Sequence, residues 1–237
     1  MKKILITGVT SGIGEELARQ YVKQGCIVAG TGRREERLQK LQSDLGNNFI
    51  YKVFDITDDN ATEHLASLTE ALDGLDVVIA NAGVGYLDSA LDQEQEALIN
   101  NVNVAGFHCT MSWAGRYFRE QGHGHLVGVS SLAASFPNSY APAYNASKAY
   151  VWYYLAGLRK YFKRQKLDVH VTEIRPGWVD TEMTENARFK FWSVPATRAA
   201  EDIVKAIGAR KSVAYIPGRW FFVGALNRIL GIFGWAA

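Results

Sequence analysis

The sequence predicts an α/β fold in one domain, a doubly wound parallel sheet of about seven strands with helices on both faces. Three observations lead there. Short apolar runs alternate with longer amphipathic stretches from the first residue to about residue 216, which is the pattern of successive βαβ units. No internal repeat, low-complexity tract or Pro/Ser-rich linker interrupts that alternation. A chain of 237 residues also fits a single well-buried core, since cores stop growing only near ~250 residues, so 1–237 is expected to be one domain.

The elements follow in order. Lys3–Thr7 is a first strand that ends at Gly8; Lys2 and Lys3 look like the start of a signal peptide, but the apolar run stops well short of the ~7–15 residues such a segment needs. Ile13–Gln24 is an amphipathic helix closed by Gly25, Cys26–Thr31 a second strand, and Glu35–Leu45 a helix stopped by Gly46. Phe49–Phe54 is the third strand, Asp59–Leu72 a helix, and Val77–Ala80 the fourth strand. Gln93–Arg119 keeps helical periodicity throughout and is expected to be one long helix before the fifth strand, His125–Ser130. Pro142 opens a helix over Ala143–Lys166, Asp168–Ile174 is the sixth strand, Ala196–Ala209 a last helix, and Val213–Ile216 a seventh strand before Pro217.

Composition removes several function classes. Lys and Arg total 26 against 24 Asp and Glu, so a net charge of +2 offers no basic field for nucleic acid. At 48% hydrophobic and 21% charged, the chain lacks the composition of disorder. Cys26 and Cys109 stand far apart in no metal-like spacing, which suits a reducing compartment and leads us to expect a cytoplasmic protein. His123 and His125 lie close together without clustered Cys or carboxylates, so no metal is expected.

The informative residues fall after the strands, where an open parallel sheet binds its ligands. Thr7-Gly8-Val9-Thr10-Ser11-Gly12-Ile13-Gly14 follows the first strand; its glycines allow a sharp turn and close backbone approach, and the next helix N-terminus offers N–H groups to a pyrophosphate. A dinucleotide fits this loop; a Gly-rich turn without ligand is the alternative for the loop taken alone. After the second strand stand Gly32-Arg33-Arg34, where an NAD-specific site would place a carboxylate for the ribose hydroxyls. Arginines instead suit a 2′-phosphate, so NADP(H) is expected over NAD(H), against the alternative that Arg33 and Arg34 merely begin a charged helix. Asp55-Ile56, Asn81-Ala82-Gly83, Ser130-Ser131 and Pro176-Gly177 end the remaining strands on the same edge.

Tyr144 and Lys148, four apart on a predicted helix, share a face. A tyrosine ordinarily titrates near ~10, and work near neutrality asks for roughly 3 units of lowering, which a neighbouring ammonium and a charged nicotinamide could together supply.

With Thr7-Gly8-x-x-x-Gly12-x-Gly14, Asn81-Ala82-Gly83, Asn103, Ser131, Tyr144-x-x-x-Lys148 and Pro176-Gly177 in this order, the chain resembles a classical short-chain dehydrogenase/reductase, a Rossmann-fold family, over nearly its whole length. The resemblance implies an enzyme moving hydride between NADP(H) and a carbonyl or alcohol, with Tyr144 as general acid/base, Ser131 orienting the substrate oxygen, Lys148 on the nicotinamide ribose and Asn103 holding a relay water. It also implies Asp55 and Ile56 near the adenine, Asn81 to Gly83 along the cofactor, Val179 and Thr181 at the carboxamide, and a homodimer or homotetramer. Ala80 and Asn101 depart from the family's commoner residues without removing a catalytic group. The rival class is a cofactor-sensing regulatory protein without turnover, which need not keep all four catalytic residues.

Two segments are left for substrate and partners. Glu182 to Pro195 carries Met183, Phe189, Phe191 and Trp192 and is expected to wall an apolar or aromatic substrate. Arg219 to Ala237 is apolar except for Arg219, Asn227 and Arg228; the expectation is docking on a partner subunit or over the substrate entrance, with peripheral membrane contact as the alternative. The aromatic run Tyr150, Trp152, Tyr153 and Tyr154 is expected to spread around its helix into core and interface.

Overall fold

The computed structural model describes residues 1–86, 90–185, 187, 190–224 and 226. Its main sheet has seven strands, β1 (Lys3–Thr7), β2 (Ile27–Gly32), β3 (Phe49–Val53), β4 (Val77–Ala80), β5 (His123–Val129), β6 (Asp168–Pro176) and β9 (Val213–Ile216). They lie in the order β3-β2-β1-β4-β5-β6-β9, and each neighbouring pair is parallel. The order reverses between β1 and β4, which opens a crevice beyond their carboxyl ends.

Strand alternation sets two core layers. Ile4, Ile6 and Val28 face the layer covered by helices α1 (Gly12–Lys23), α2 (Glu35–Leu45) and α7 (Ala196–Gly208). Leu5, Ala29 and Val78 face the opposite layer, with α3 (Ala61–Ala71), α5 (Phe107–Gln121) and α6 (Pro142–Gln165). With both faces covered, the inner strands read as continuous apolar runs, as the sequence shows.

The predicted long helix Gln93–Arg119 is interrupted. It consists of α4 (Gln93–Asn100), one wide π-helical turn at Asn101–Gly106, and α5. Tertiary contacts hold that turn open: Asn103 is bonded to another segment, and a Cβ on Gly106 would stand 2.6 Å from Ile56 Cγ2. Two short strands not predicted, β7 (Val179–Asp180) and β8 (Val194–Pro195), pair in parallel and tie the two ends of the 182–195 segment together. The aromatic run does spread: Tyr150 and Tyr154 stack on each other, Trp152 lies against Arg175, and Tyr153 is exposed. A helix begins at Trp220; residues 227–237, the greater part of the apolar C-terminal segment, lie outside the described residues, as does Phe189. Among the described residues no helix is long and apolar enough to cross a membrane.

Candidate active site

The loop after β1 turns on two residues in the left-handed region, Gly8 (φ +74°) and Gly12 (φ +59°), where a side chain would be strained. A Cβ on Gly14 would lie 2.1 Å from the Gly8 carbonyl oxygen, so α1 packs directly on the loop, and Gly14 itself sits behind the cleft rather than in its lining. Ser11 makes no side-chain cap, which leaves the first-turn N–H groups of α1 available to an anion. Asn81 braces the loop: its Nδ2 donates to the carbonyls of Thr7 (3.1 Å) and Gly8 (2.9 Å), and the N–H groups of Asn81 and Ala82 both donate to Thr7 Oγ1 (3.1 Å each).

A cleft of about 520 Å³ runs from this loop past the ends of the strands. Gly8, Thr10, Ser11, Gly12, Ile13, Arg33, Arg34, Asp55, Ile56, Asn81, Ala82, Gly83, Ser131, Tyr144, Lys148, Pro176, Gly177, Val179 and Thr181 all line it. Of the catalytic and cofactor-binding residues expected from the sequence, Gly14 and Asn103 are not in this lining.

At the β2 end, where an NAD-specific site would carry a carboxylate, stands Gly32, and a Cβ there would lie 2.5 Å from Thr10 Cγ2, so any side chain requires Thr10 to shift. Arg33 Nη1 reaches Asp55 Oδ2 at 3.3 Å. Burial raises the Asp55 pKa, but hydrogen bonds from Thr57 and the charge of Arg33 outweigh it and hold the carboxyl below its usual range. Arg34 donates to Thr10 Oγ1 (2.9 Å), Ser11 Oγ (2.7 Å) and Glu182 Oε2 (2.8 Å), and Arg37 donates to Thr10 O (3.2 Å) and to Glu182 Oε1. Arg37 and Glu182 were missed in the sequence. The signal for Arg37 was its place in the first turn of α2, just after Arg33 and Arg34, within a charged run that reads as solvated.

At the other end stand the catalytic candidates. Ser130 is spent internally, its hydroxyl donating to the Lys148 carbonyl at 3.3 Å. Ser131 accepts from the Ala133 N–H (3.1 Å) and faces the cleft beside Tyr144. Lys148 is buried; its Nζ donates to the Val129 carbonyl (3.2 Å) and lies 5.7 Å from the centroid of the Tyr144 ring. Burial pushes the Lys148 ammonium down to about 8. In the protein alone, burial pushes the Tyr144 phenol above its ordinary value and the Ser131 hydrogen bond draws it down.

Asn103, 1% exposed, uses its whole amide elsewhere. Its Oδ1 accepts from Val84 N–H (2.8 Å), and its Nδ2 donates to Val84 O (2.8 Å) and Ser147 Oγ (3.1 Å), whose hydroxyl donates in turn to the Tyr144 carbonyl (2.7 Å). This chain ties the wall of the cleft to the first turn of α6.

The substrate segment behaves differently from expectation. A Cβ on Gly85 would stand 2.9 Å from Tyr144 Cε2 and 3.3 Å from Met183 Sδ, so Met183 does wall the cleft next to Tyr144. Phe191 and Trp192 do not line it. They stack on each other with centroids 4.6 Å apart and meet Trp220 edge-on at 6.2 and 5.3 Å. Arg219 lies over the Trp192 ring and donates to its carbonyl (3.1 Å). The buried Trp220 indole presses on Gly177, where a Cβ would be 2.1 Å from its Nε1. No local pattern marks Trp220, because its partners come from other parts of the chain. Among the described residues no group of His, Cys, Asp and Glu is placed to hold a metal ion.

Known proteins resemble this chain in sequence and fold. The family described as short chain dehydrogenase matches residues 2–190. The NADP-dependent 3-hydroxy acid dehydrogenase YdfG of Escherichia coli (strain K12) is 34% identical over 192 residues, covering 79% of this chain and 76% of the relative. Serine 3-dehydrogenase of Agrobacterium fabrum is 36% identical over 187 residues, 76% of this chain and 73% of its own. Among solved structures, the closed form of serine dehydrogenase complexed with NADP+ superposes with a TM-score of 0.78 at 28% identity, covering 86% of this chain and 88% of that one. A short-chain dehydrogenase/reductase from Burkholderia phymatum in complex with NAD shares the fold, with a TM-score of 0.89 at 20% identity over 98% of this chain and 95% of its own. With the family spanning the glycine loop, the serine and the Tyr-Lys helix, and with relatives above 30% identity over three quarters of its length, this chain belongs to the short-chain dehydrogenase family of oxidoreductases.

Proposed function

We propose that the protein transfers hydride between NADP(H) and the C=O or CH–OH group of a small 3-oxo or 3-hydroxy acid, with 1–237 acting as one dinucleotide-binding and catalytic domain. The observation that carries this reading is one continuous cleft with Ser131, Tyr144 and Lys148 at one end and Arg33 and Arg34 beside Gly32 at the other. The NADP dependence of the E. coli relative and the NADP+ held by the solved serine dehydrogenase support the cofactor. The cleft's own residues fit it: the glycine cradle and uncapped α1 N-terminus suit a pyrophosphate, and the arginines suit a 2′-phosphate.

Bound there, the nicotinamide supplies or accepts the hydride. Tyr144, kept protonated by burial, donates its proton to the carbonyl oxygen in reduction and takes it back in oxidation. Ser131 holds that same oxygen, and Lys148, fixed by Val129, meets the ribose hydroxyls and stabilises the phenolate as it forms. Asn103, assigned from the sequence to a water relay, spends its amide on Val84 and Ser147, and we place it as a positioning residue. Of the other residues lining the cleft, Asp55 and Ile56 would border the adenine, Asn81 to Gly83 the length of the cofactor, and Pro176, Gly177, Val179 and Thr181 its nicotinamide end. A regulatory protein without turnover would have no use for Ser131, Tyr144 and Lys148 on one wall.

The apolar substrate suggested by the aromatic residues gives way to a small acid, because Phe191 and Trp192 turn to Trp220 and the relatives are named for 3-hydroxy acids and serine. The protein would work in the cytoplasm as a homodimer or homotetramer, with 219–237 meeting a partner subunit and a membrane surface as the alternative contact.

The test is a panel of 3-hydroxy acids and of apolar alcohols and ketones, read by NADPH absorbance with wild type and Tyr144→Phe. Turnover of 3-hydroxy acids that falls ~10²–10⁴-fold in the variant, with NADPH affinity kept, is expected. A variant retaining most of its activity overturns the mechanism, and turnover confined to apolar compounds overturns the substrate class.

A further inference from the structure

Arg34 and Arg37 hold a carboxylate supplied by the chain itself. Arg34 Nη1 donates to Glu182 Oε2 at 2.8 Å and Arg37 to Oε1, across sequence separations of 148 and 145 residues. The same Arg34 guanidinium donates to Thr10 and Ser11 of the glycine loop, and Arg37 to the Thr10 carbonyl, so the bound carboxylate sits at the mouth of the cleft beside that loop. Hydrogen bonds from Arg34 and Arg37 keep the half-exposed Glu182 well below the usual carboxylate range. Glu182 also opens a single 3₁₀ turn, Glu182–Thr184, locked at its start by a capping box between Thr181 and Thr184. The next residue, Met183, forms the wall beside Tyr144. One short turn thus joins the arginines of the adenosine end to the wall of the reacting end.

We propose that Glu182 is a specificity-determining residue: its carboxylate occupies the anion position that the 2′-phosphate of the cofactor takes on Arg34 and Arg37, and exchange of one anion for the other releases the Glu182–Thr184 turn toward the substrate. The proposal rests on the NADP(H) reading above. It follows from relative strength. A phosphate monoester carries between one and two negative charges and three acceptor oxygens, whereas Glu182 brings one charge on an exposed side chain whose ion pairs are individually weak. The phosphate therefore displaces Glu182. The ribose 2′-hydroxyl of NAD(H) has no charge with which to do so, and with that cofactor the turn stays latched. Arg37 becomes a third cation of the phosphate site, four residues beyond Arg33 on α2.

The experiment uses the full-length protein and two probes, adenosine 2′,5′-bisphosphate and AMP, which differ only in the 2′-phosphate. Dissociation constants are measured by calorimetry for wild type, Glu182→Gln, Glu182→Asp and Arg37→Gln. Removing the competing charge in Glu182→Gln is expected to tighten the bisphosphate about 3- to 10-fold and leave AMP unmoved. Glu182→Asp is expected to lie between wild type and Glu182→Gln, and Arg37→Gln to weaken the bisphosphate alone. A bisphosphate affinity unchanged or weakened in Glu182→Gln overturns the role of Glu182 while leaving the cofactor reading intact. Wild type that binds bisphosphate no better than AMP overturns the cofactor reading and this proposal with it.

Discussion

Lys148 shows what the catalytic end costs the fold. Its ammonium is taken out of water with the Val129 carbonyl as a hydrogen-bond acceptor, and it titrates at about 8 in place of 10.5. Between those two values the unfolded chain holds a proton that the folded chain has released, so stability rises with pH across the window and the penalty is fully present below pH 8. The displacement corresponds to roughly 3 kcal/mol. Lys148→Met is therefore expected to raise the thermal midpoint of the cofactor-free protein at pH 7 by the equivalent of about 1–3 kcal/mol while abolishing activity, because an apolar stem replaces a buried charge. Thermal unfolding at pH 7, 8.5 and 10 checks it; a variant less stable than wild type at pH 7 would remove the argument. Tyr144 and Lys148 were legible in the sequence because their i, i+4 spacing has meaning within one helix. The direction of the Tyr144 shift was not, because it depends on burial by distant strands.

Strands β5 and β6 carry a second buried titratable group. Thr172 Oγ1 donates to the Lys211 carbonyl (2.6 Å), so it accepts from His125 Nε2 at 2.8 Å. Burial, followed by the charges of His170, Arg210 and Lys2, lowers His125 to about 4 from 6.5. The unfolded chain takes up a proton here as pH falls through 6.5 and the folded chain only near 4, so this contribution to stability is present above pH 6.5 and lost on the way to 4, roughly 3 kcal/mol in all. His125→Gln is expected to flatten the fall in denaturant midpoint between pH 6.5 and 4.5, and equal slopes in the two proteins would count against it. Most elements at this scale were readable, since apolar runs and glycine stops report strands directly. The π turn was not. The periodicity of Gln93–Arg119 is continuous on both sides, and the extra backbone width is imposed by the contacts of Asn103 and Gly106, which no local pattern encodes. Within the site, the strand-end residues were visible as small or polar breaks after apolar runs, whereas Arg37 and Glu182 acquire meaning only once α2 and the turn after β7 face each other.

For the molecule as a whole, the link of interest runs between the C-terminal segment and the cleft. Trp220 joins the 182–195 segment, through Trp192 and Phe191, to Gly177 in the lining of the cleft. Trp220→Ala would leave Phe191 and Trp192 without their partner and open a void of the kind that costs ~3–5 kcal/mol in a core. The expected result is a raised KM for the substrate with a smaller fall in kcat, and faster tryptic cleavage between residues 185 and 195; unchanged cleavage would show that Trp220 does not restrain the segment. The same arrangement has an optical consequence. Indole emits where reduced nicotinamide absorbs, and the Trp220 indole packs on Gly177 in the lining of the cleft, so the protein carries its own energy-transfer donor. Quenching of its intrinsic fluorescence would report reduced cofactor arriving, without any label, and Trp220→Phe would show how much of that signal comes from this corner.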